Sequence, residues 1–262
     1  MFRMSVSEIF VRLVLCGIFL CFSLLGQAQA APGHCEAPGE LIDLSAALPR
    51  SQAALESRRE IVVVALGSSS TQGAGATTHA RTYPAQLQRA LQLALPEHTV
   101  HVVNLGRGGE RAGSMVERID SEVAAYAPDL VIWQTGVNDL LMQADVNNVP
   151  ALLNEGINKI HKLGADVVLM DVQFAPRVVA DGKHQLMMSL LEDAARVNGA
   201  GFHRRFDLME YWAHPTRIGY SALISGDGLH MTDASYRCTG RTLSEGLLAA
   251  WRRNETRIVS RP

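Results

Sequence analysis

The sequence lacks most features that announce a specialised protein. Charge of one sign is absent: 24 lysines and arginines face 26 aspartates and glutamates, for a formal net charge of −2. That balance argues against a nucleic-acid partner, and none is expected. Metal-ligand spacing is absent too. The nine histidines form no His-x-x-x-His pair and the four cysteines no Cys-x-x-Cys, so no metal is expected. His79, His98, His101, His203 and His214 read as surface or satisfied core residues. The glycine-rich Gly106-Arg107-Gly108-Gly109 lacks full Gly-x-Gly-x-x-Gly spacing, which argues against a nucleotide cofactor. No repeat, low-complexity tract or long Pro/Gly/Ser linker divides the chain.

Long apolar runs are scarce as well. Arg3 and Arg12 supply a positive start, Val11 to Leu25 an apolar run without an acidic residue, and Ala28-Gln29-Ala30 a small-residue cleavage pattern. These are the three parts of a secretory signal. The run is shorter than the ~20 residues a spanning helix needs, and Cys16 and Cys21 lack the small residue that precedes a lipoprotein cysteine. Residues 1–30 are therefore expected to be a cleaved signal peptide, giving a periplasmic or secreted protein without a stable membrane anchor. Cleavage leaves 22 basic and 25 acidic residues. It also leaves two cysteines, Cys35 and Cys238, in an oxidising compartment, where a disulfide is expected rather than two buried thiols. In the chain-entropy model a loop this long contributes about 4–5 kcal/mol.

From residue 60 onward, short β-branched runs alternate with helix-period stretches. Glu60 to Leu66, Thr99 to Leu105, Asp129 to Gln134, Ala165 to Val172 and a weaker run at Phe202 to Leu208 read as strands. Tyr83 to Leu95, Ser114 to Tyr126, Val149 to Leu163 and Lys183 to Val197 read as helices. A last helix should follow Thr232 and run through Trp251, capped by Thr232 or Asp233. Near-continuous apolar strands separated by helices imply an α/β class: a three-layer α/β/α sandwich around a mostly parallel five-stranded sheet. The expected organisation is an N-terminal extension over 31–58, with a short helix and pinned back by Cys35, and one domain over 59–262.

In such a sheet, ligands bind beyond the carboxyl ends of the strands. The residues found there are Gly67-Ser68-Ser69-Ser70-Thr71-Gln72-Gly73, Asn104-Leu105-Gly106-Arg107-Gly108-Gly109 and Thr135-Gly136-Val137-Asn138-Asp139, with Asp227-Gly228-Leu229-His230 just before the last helix. A serine hydroxyl needs an adjacent base to become a nucleophile, and histidine has the fitting pKa. Asp227, three residues before His230, is placed to orient one ring nitrogen and leave the other for Ser69. Asp233 has the same spacing, but its place at a helix start favours capping. The backbone N–H groups of Ser69 and Gly109 and the side-chain amide of Asn138 are candidate donors to an oxyanion.

These four segments, in this order, resemble blocks I, II, III and V of the GDSL/SGNH hydrolase family between roughly Glu60 and Trp251. The resemblance implies a flavodoxin-like SGNH fold with Ser69 as nucleophile, Asp227 and His230 completing a catalytic triad, and Gly109 and Asn138 in the oxyanion hole. The sequence departs from the family at one point, where Gly67-Ser68-Ser69 replaces Gly-Asp-Ser. The function implied is that of an exported serine esterase, with a small-molecule or carbohydrate ester as substrate and acetyl the favoured acyl group. An O-acyltransferase acting on an exported polysaccharide would use the same triad. A non-catalytic glycan-binding module would have little reason to keep Ser69, Asp227 and His230 together. Tyr211, Trp212 and Tyr220 read equally as a sugar-stacking wall or as core.

Overall fold

The computed structural model describes residues 35–58 and 60–259; the expected signal peptide lies outside the described residues. Five strands, β1 (Glu60–Gly67), β2 (Thr99–Gly106), β3 (Leu130–Gln134), β4 (Asp166–Met170) and β5 (Gly201–His203), form one sheet in the order β2-β1-β3-β4-β5. Every pairing is parallel. Each residue of β3 and β4 is buried, because helices cover both faces, and this is why those strands read as unbroken apolar runs. The chain reverses its direction of winding at β1, whose neighbours are β2 and β3. A crevice therefore opens at the carboxyl end of β1.

The helices are α1 (Gly39–Ile42), α2 (Pro49–Arg58), α3 (Ser69–Gln72), α4 (Tyr83–Ala94), α5 (Ala112–Glu117), α6 (Val137–Leu141), α7 (Val149–Lys162), α8 (Pro176–Val179), α9 (His184–Val197), α10 (Arg205–Ala213) and α11 (Asp233–Val259). On one face, Trp133 of β3 lies on α7 so closely that a Cβ at Gly156 would come within 2.3 Å of its ring. Its indole N–H points to the sulfur of Met115 in α5, 3.2 Å away. On the other face, α4 and α11 pack tightly enough that a Cβ at Gly240 would meet Leu87 N at 2.8 Å.

The N-terminal segment carries two helices, more than expected, and is tied down throughout. Cys35 and Cys238 are disulfide-bonded, Cα to Cα 4.8 Å, and Trp212 Nε1 donates to the Glu36 carbonyl at 3.2 Å. Asp166, at the start of β4, accepts from Ser51 N and Ser51 Oγ, both at 2.8 Å. Trp251 Nε1 donates to the same hydroxyl at 2.9 Å.

Three sequence expectations need correction. The strand expected at Phe202 to Leu208 stops at His203 and helix α10 begins at Arg205, because the Asp171 carboxylate captures Phe206 N at 3.0 Å and turns the chain. The helix expected at Ser114 to Tyr126 breaks after α5 into a π turn, Ile119–Val123, and a 3-10 turn, Ala124–Tyr126. Its cause is Arg118, a buried side chain that reaches the Leu105 carbonyl and Glu110. Lastly, neither expected cap of α11 acts as one. The Thr232 hydroxyl donates to Ala222 O at 2.5 Å, and the Asp233 carboxylate accepts from Thr77 N and Oγ1 at 2.9 and 2.6 Å.

Candidate active site

At the end of β1 the chain turns abruptly through Gly67 and Ser68 into α3. No side chain fits at 67, where a Cβ would lie 2.1 Å from Thr71 Oγ1. One distant residue holds the turn: Gln134, last in β3, accepts through Oε1 from Ser68 N at 3.0 Å and from Ser68 Oγ and Thr71 Oγ1, each at 3.1 Å. Consequently the three consecutive serines differ sharply. Ser68 and Ser70 are 2% and 1% exposed, while Ser69 is only half-buried.

His230 stands over Ser69, with Nε2 2.9 Å from Ser69 Oγ. Its Nδ1 hydrogen-bonds Asp227 Oδ2. The Asp227 carboxylate is itself fixed by a tight turn, since Oδ1 accepts from Ser225 Oγ at 2.7 Å and from Leu229 N and His230 N at 2.9 Å. Partial burial pushes this carboxyl up, but the hydrogen bonds from Ser225, His230 and Leu229 outweigh it and hold it below the usual range. The carboxylate therefore stays ionised and keeps the Nδ1 proton, leaving Nε2 as an acceptor toward the hydroxyl. Asp233, the rival orienter, is spent on Thr77.

The loop after β2 is stitched to α3. Arg107 N donates to Gly67 O at 2.9 Å, Gly108 N to Gln72 Oε1 at 3.1 Å, and Asn104 Nδ2 to Thr71 O at 2.8 Å. Gly109 follows in an exposed, left-handed conformation, φ +80°, which a residue with a Cβ rarely adopts. From the turn after β3, Asn138 Nδ2 gives one hydrogen to Glu110 O at 2.8 Å, so the second is available to a ligand. Next to it, the buried Asp139 carboxylate accepts from Ala112 N at 3.2 Å, and burial raises its pKa. Neither Ser69 N–H nor Gly109 N–H has a partner among the described residues. Together these are three unspent donors on the edge that carries the Ser–His pair.

The aromatic residues separate. Trp212 is buried, and Tyr211 is covered by the Arg217 guanidinium, 3.4 Å from its ring centre. Tyr220 is exposed and lies edge-on to Phe174. His203, expected at the surface or satisfied in the core, is fully buried, and neither ring nitrogen has a partner among the described residues. Among the described residues no group of three or more His, Cys, Asp or Glu could hold a metal ion.

Sequence reasoning missed the residues that hold this edge: Gln134, Asp139, Gln173 and Arg205. Gln173 Nε2 donates to Leu229 O, one residue before His230, at 3.1 Å. A polar residue ending an otherwise apolar strand was the visible signal at Gln134.

A five-stranded parallel α/β/α sandwich with a serine, histidine and aspartate in hydrogen-bonded series at its carboxyl edge defines the SGNH-type hydrolase class. The chain belongs to the Non-GDSL lipase-like family, which matches residues 34–253, a description that suits the missing Gly-Asp-Ser. Solved structures repeat the fold. A two-domain esterase (CEX) active on acetylated mannans, co-crystallised with mannopentaose, superposes with a TM-score of 0.63 at 20% identity over 79% of this chain and 55% of that one. The chain thus spans about half the length of that protein. A mutant of Axe2, an acetyl-xylooligosaccharide esterase from Geobacillus Stearmophilus, gives 0.61 at 19% identity over 71% of this chain and 94% of that one. TesA gives 0.59 at 21% identity over 73% and 98%. At such identities the likeness is one of fold. No curated protein matches the chain.

Proposed function

We propose that the protein is an exported serine esterase that passes its substrate's acyl group through Ser69. The observation that carries this reading is the series Asp227–His230–Ser69, with His230 Nε2 2.9 Å from the hydroxyl. Ser69 Oγ attacks the ester carbonyl carbon as His230 Nε2 takes its proton; the new oxyanion is met by Ser69 N–H, Gly109 N–H and Asn138 Nδ2. The tetrahedral intermediate collapses, the alcohol leaves with the proton from His230, and Ser69 carries the acyl group. Water, deprotonated by the same His230, then releases the acid.

For the substrate we propose a small acyl ester, acetyl first, on a carbohydrate. In support, two proteins of the same fold act on acetylated mannans and acetyl-xylooligosaccharides. Export rests on the Ala28-Gln29-Ala30 signal pattern and agrees with the disulfide. The test is a panel of p-nitrophenyl esters of graded chain length beside acetylated sugars, with acetate release measured and a fluorophosphonate used to label the nucleophile. Label on Ser69 and fastest turnover of acetyl esters are expected. Label elsewhere, or no hydrolysis of any ester, overturns the reading.

A further inference from the structure

Beneath the catalytic edge lies a cation that the reaction does not use. Arg205 is 0% exposed. Its Nη2 donates to Asp171 O and, at 3.0 Å, to Gln173 Oε1. Its Nε and Nη1 have no partner within the described residues, and neither do Nδ1 and Nε2 of His203 or Nε2 of Gln134. The sheet register brings these groups to one side: Gln134 pairs with Met170 and Met170 with His203. All three therefore point to the same face, where Gln134 meets Thr71 and Thr71 meets Tyr83 of α4. The guanidinium, bonded at Asp171 and Gln173, sits over the end of the middle strand of that row.

Buried polar groups almost always find partners, and a lone buried charge is far more costly than a neutral group. Compensation by protein is partial, because burial outweighs the pull of Arg205 on the Asp171 carboxyl. Burial pushes the Asp171 carboxyl up to about 8, so at neutral pH it is mostly protonated, and its Oδ1 already accepts Phe206 N. Burial likewise pushes His203 down to about 3, so its ring is neutral. Of the side-chain atoms there without any partner among the described residues, all but one are donors: three N–H bonds on Arg205, two on Gln134 and one on neutral His203, against the other ring nitrogen of His203. A water there brings hydrogens that compete for few acceptors. An anion accepts from the unpartnered Arg205 donors and cancels the charge.

We propose that the unpartnered Nε and Nη1 of Arg205 bind one small inorganic monoanion of the halide class. It also bears on the catalytic edge, because Gln173 links the guanidinium to Leu229 O and so to the turn that carries Asp227 and His230. Both tests are independent of esterase activity. Protein freed of halide and held at constant ionic strength should gain a few degrees in Tm, saturably, when chloride or bromide replaces gluconate, and Arg205→Met should abolish the gain. Crystals grown in bromide should show an anomalous peak in contact with Arg205 Nε and Nη1. The crystals decide if Arg205→Met does not fold. Water alone at that position, or an equal Tm gain in a folded Arg205→Met protein, overturns the proposal.

Discussion

The two ends of the sheet use the same chemical groups to opposite purposes. At the amino ends, backbone N–H groups are consumed by carboxylates: Asp166 takes Ser51 N and Asp129 takes Val62 N at 2.9 Å, while Arg58 closes on Asp129. At the carboxyl ends, Ser69 N–H, Gly109 N–H and one Asn138 hydrogen are left unspent. Carboxylates hold backbone at the carboxyl edge as well, as Asp227 does with Leu229 and His230; what sets that edge apart is the donors left without a partner among the described residues, which suits a ligand. Substitutions at the two edges should therefore separate stability from activity.

The largest effect should come from Ser69→Ala, which is expected to cut ester turnover by roughly 10⁴–10⁶-fold. Its Tm should stay within about 2 °C of wild type, since a half-buried hydroxyl adds little to the core. Ser68→Ala and Ser70→Ala are expected to keep most turnover. A Ser69→Ala protein with near-normal activity would end the triad assignment.

Next comes Asn138→Ala, expected to cost about 10²–10³ in turnover, the usual effect of deleting one oxyanion donor. Ser69 should still react slowly with a fluorophosphonate. Unchanged turnover would remove Asn138 from the oxyanion hole.

The third experiment crosses to the scaffold. Replacing both Cys35 and Cys238 with serine should lower stability by about 2–5 kcal/mol in denaturant titrations, with esterase activity retained where the variant is folded. Equal losses of stability and activity at all temperatures would argue that the N-terminal segment belongs to the site.

The smallest expected effect is that of Asp166→Ala, which strands Ser51 N–H and should cost about 1–3 kcal/mol while kcat/KM of the folded enzyme is unchanged. A fall in kcat/KM without a fall in Tm would collapse the distinction between the two edges.

Much of the fold was legible in the sequence. Four of five strands and three of the helices, those starting at Tyr83, Val149 and His184, lie within a residue or two of where β-branched runs and apolar periodicity put them. Two of the misreadings share one cause: a buried side chain that bends the backbone toward a distant partner. Arg118 breaks the helix after α5 by reaching back to Leu105 and Glu110, and Asp171 turns the chain after β5 by binding Phe206 N. Neither partner is visible to a local window. The candidate site was legible in its residue types and order, because serine, histidine, aspartate and asparagine after strand ends carry their chemistry with them.

Local sequence thus nominated the candidate residues and the edge they occupy, since periodicity and turn chemistry act over a few neighbours. Tertiary structure decided the rest. It buried Ser68 and Ser70 while leaving Ser69 beside His230, through Gln134, 66 positions from Ser68 along the chain. It committed Asp233 to Thr77, 156 positions away, and left the Asp227 carboxylate to His230. Only the fold, moreover, buried an arginine and a neutral histidine beneath the site. In each case the deciding contact joins residues far apart in the chain, and such contacts exist only once the sheet and its helices have closed around them.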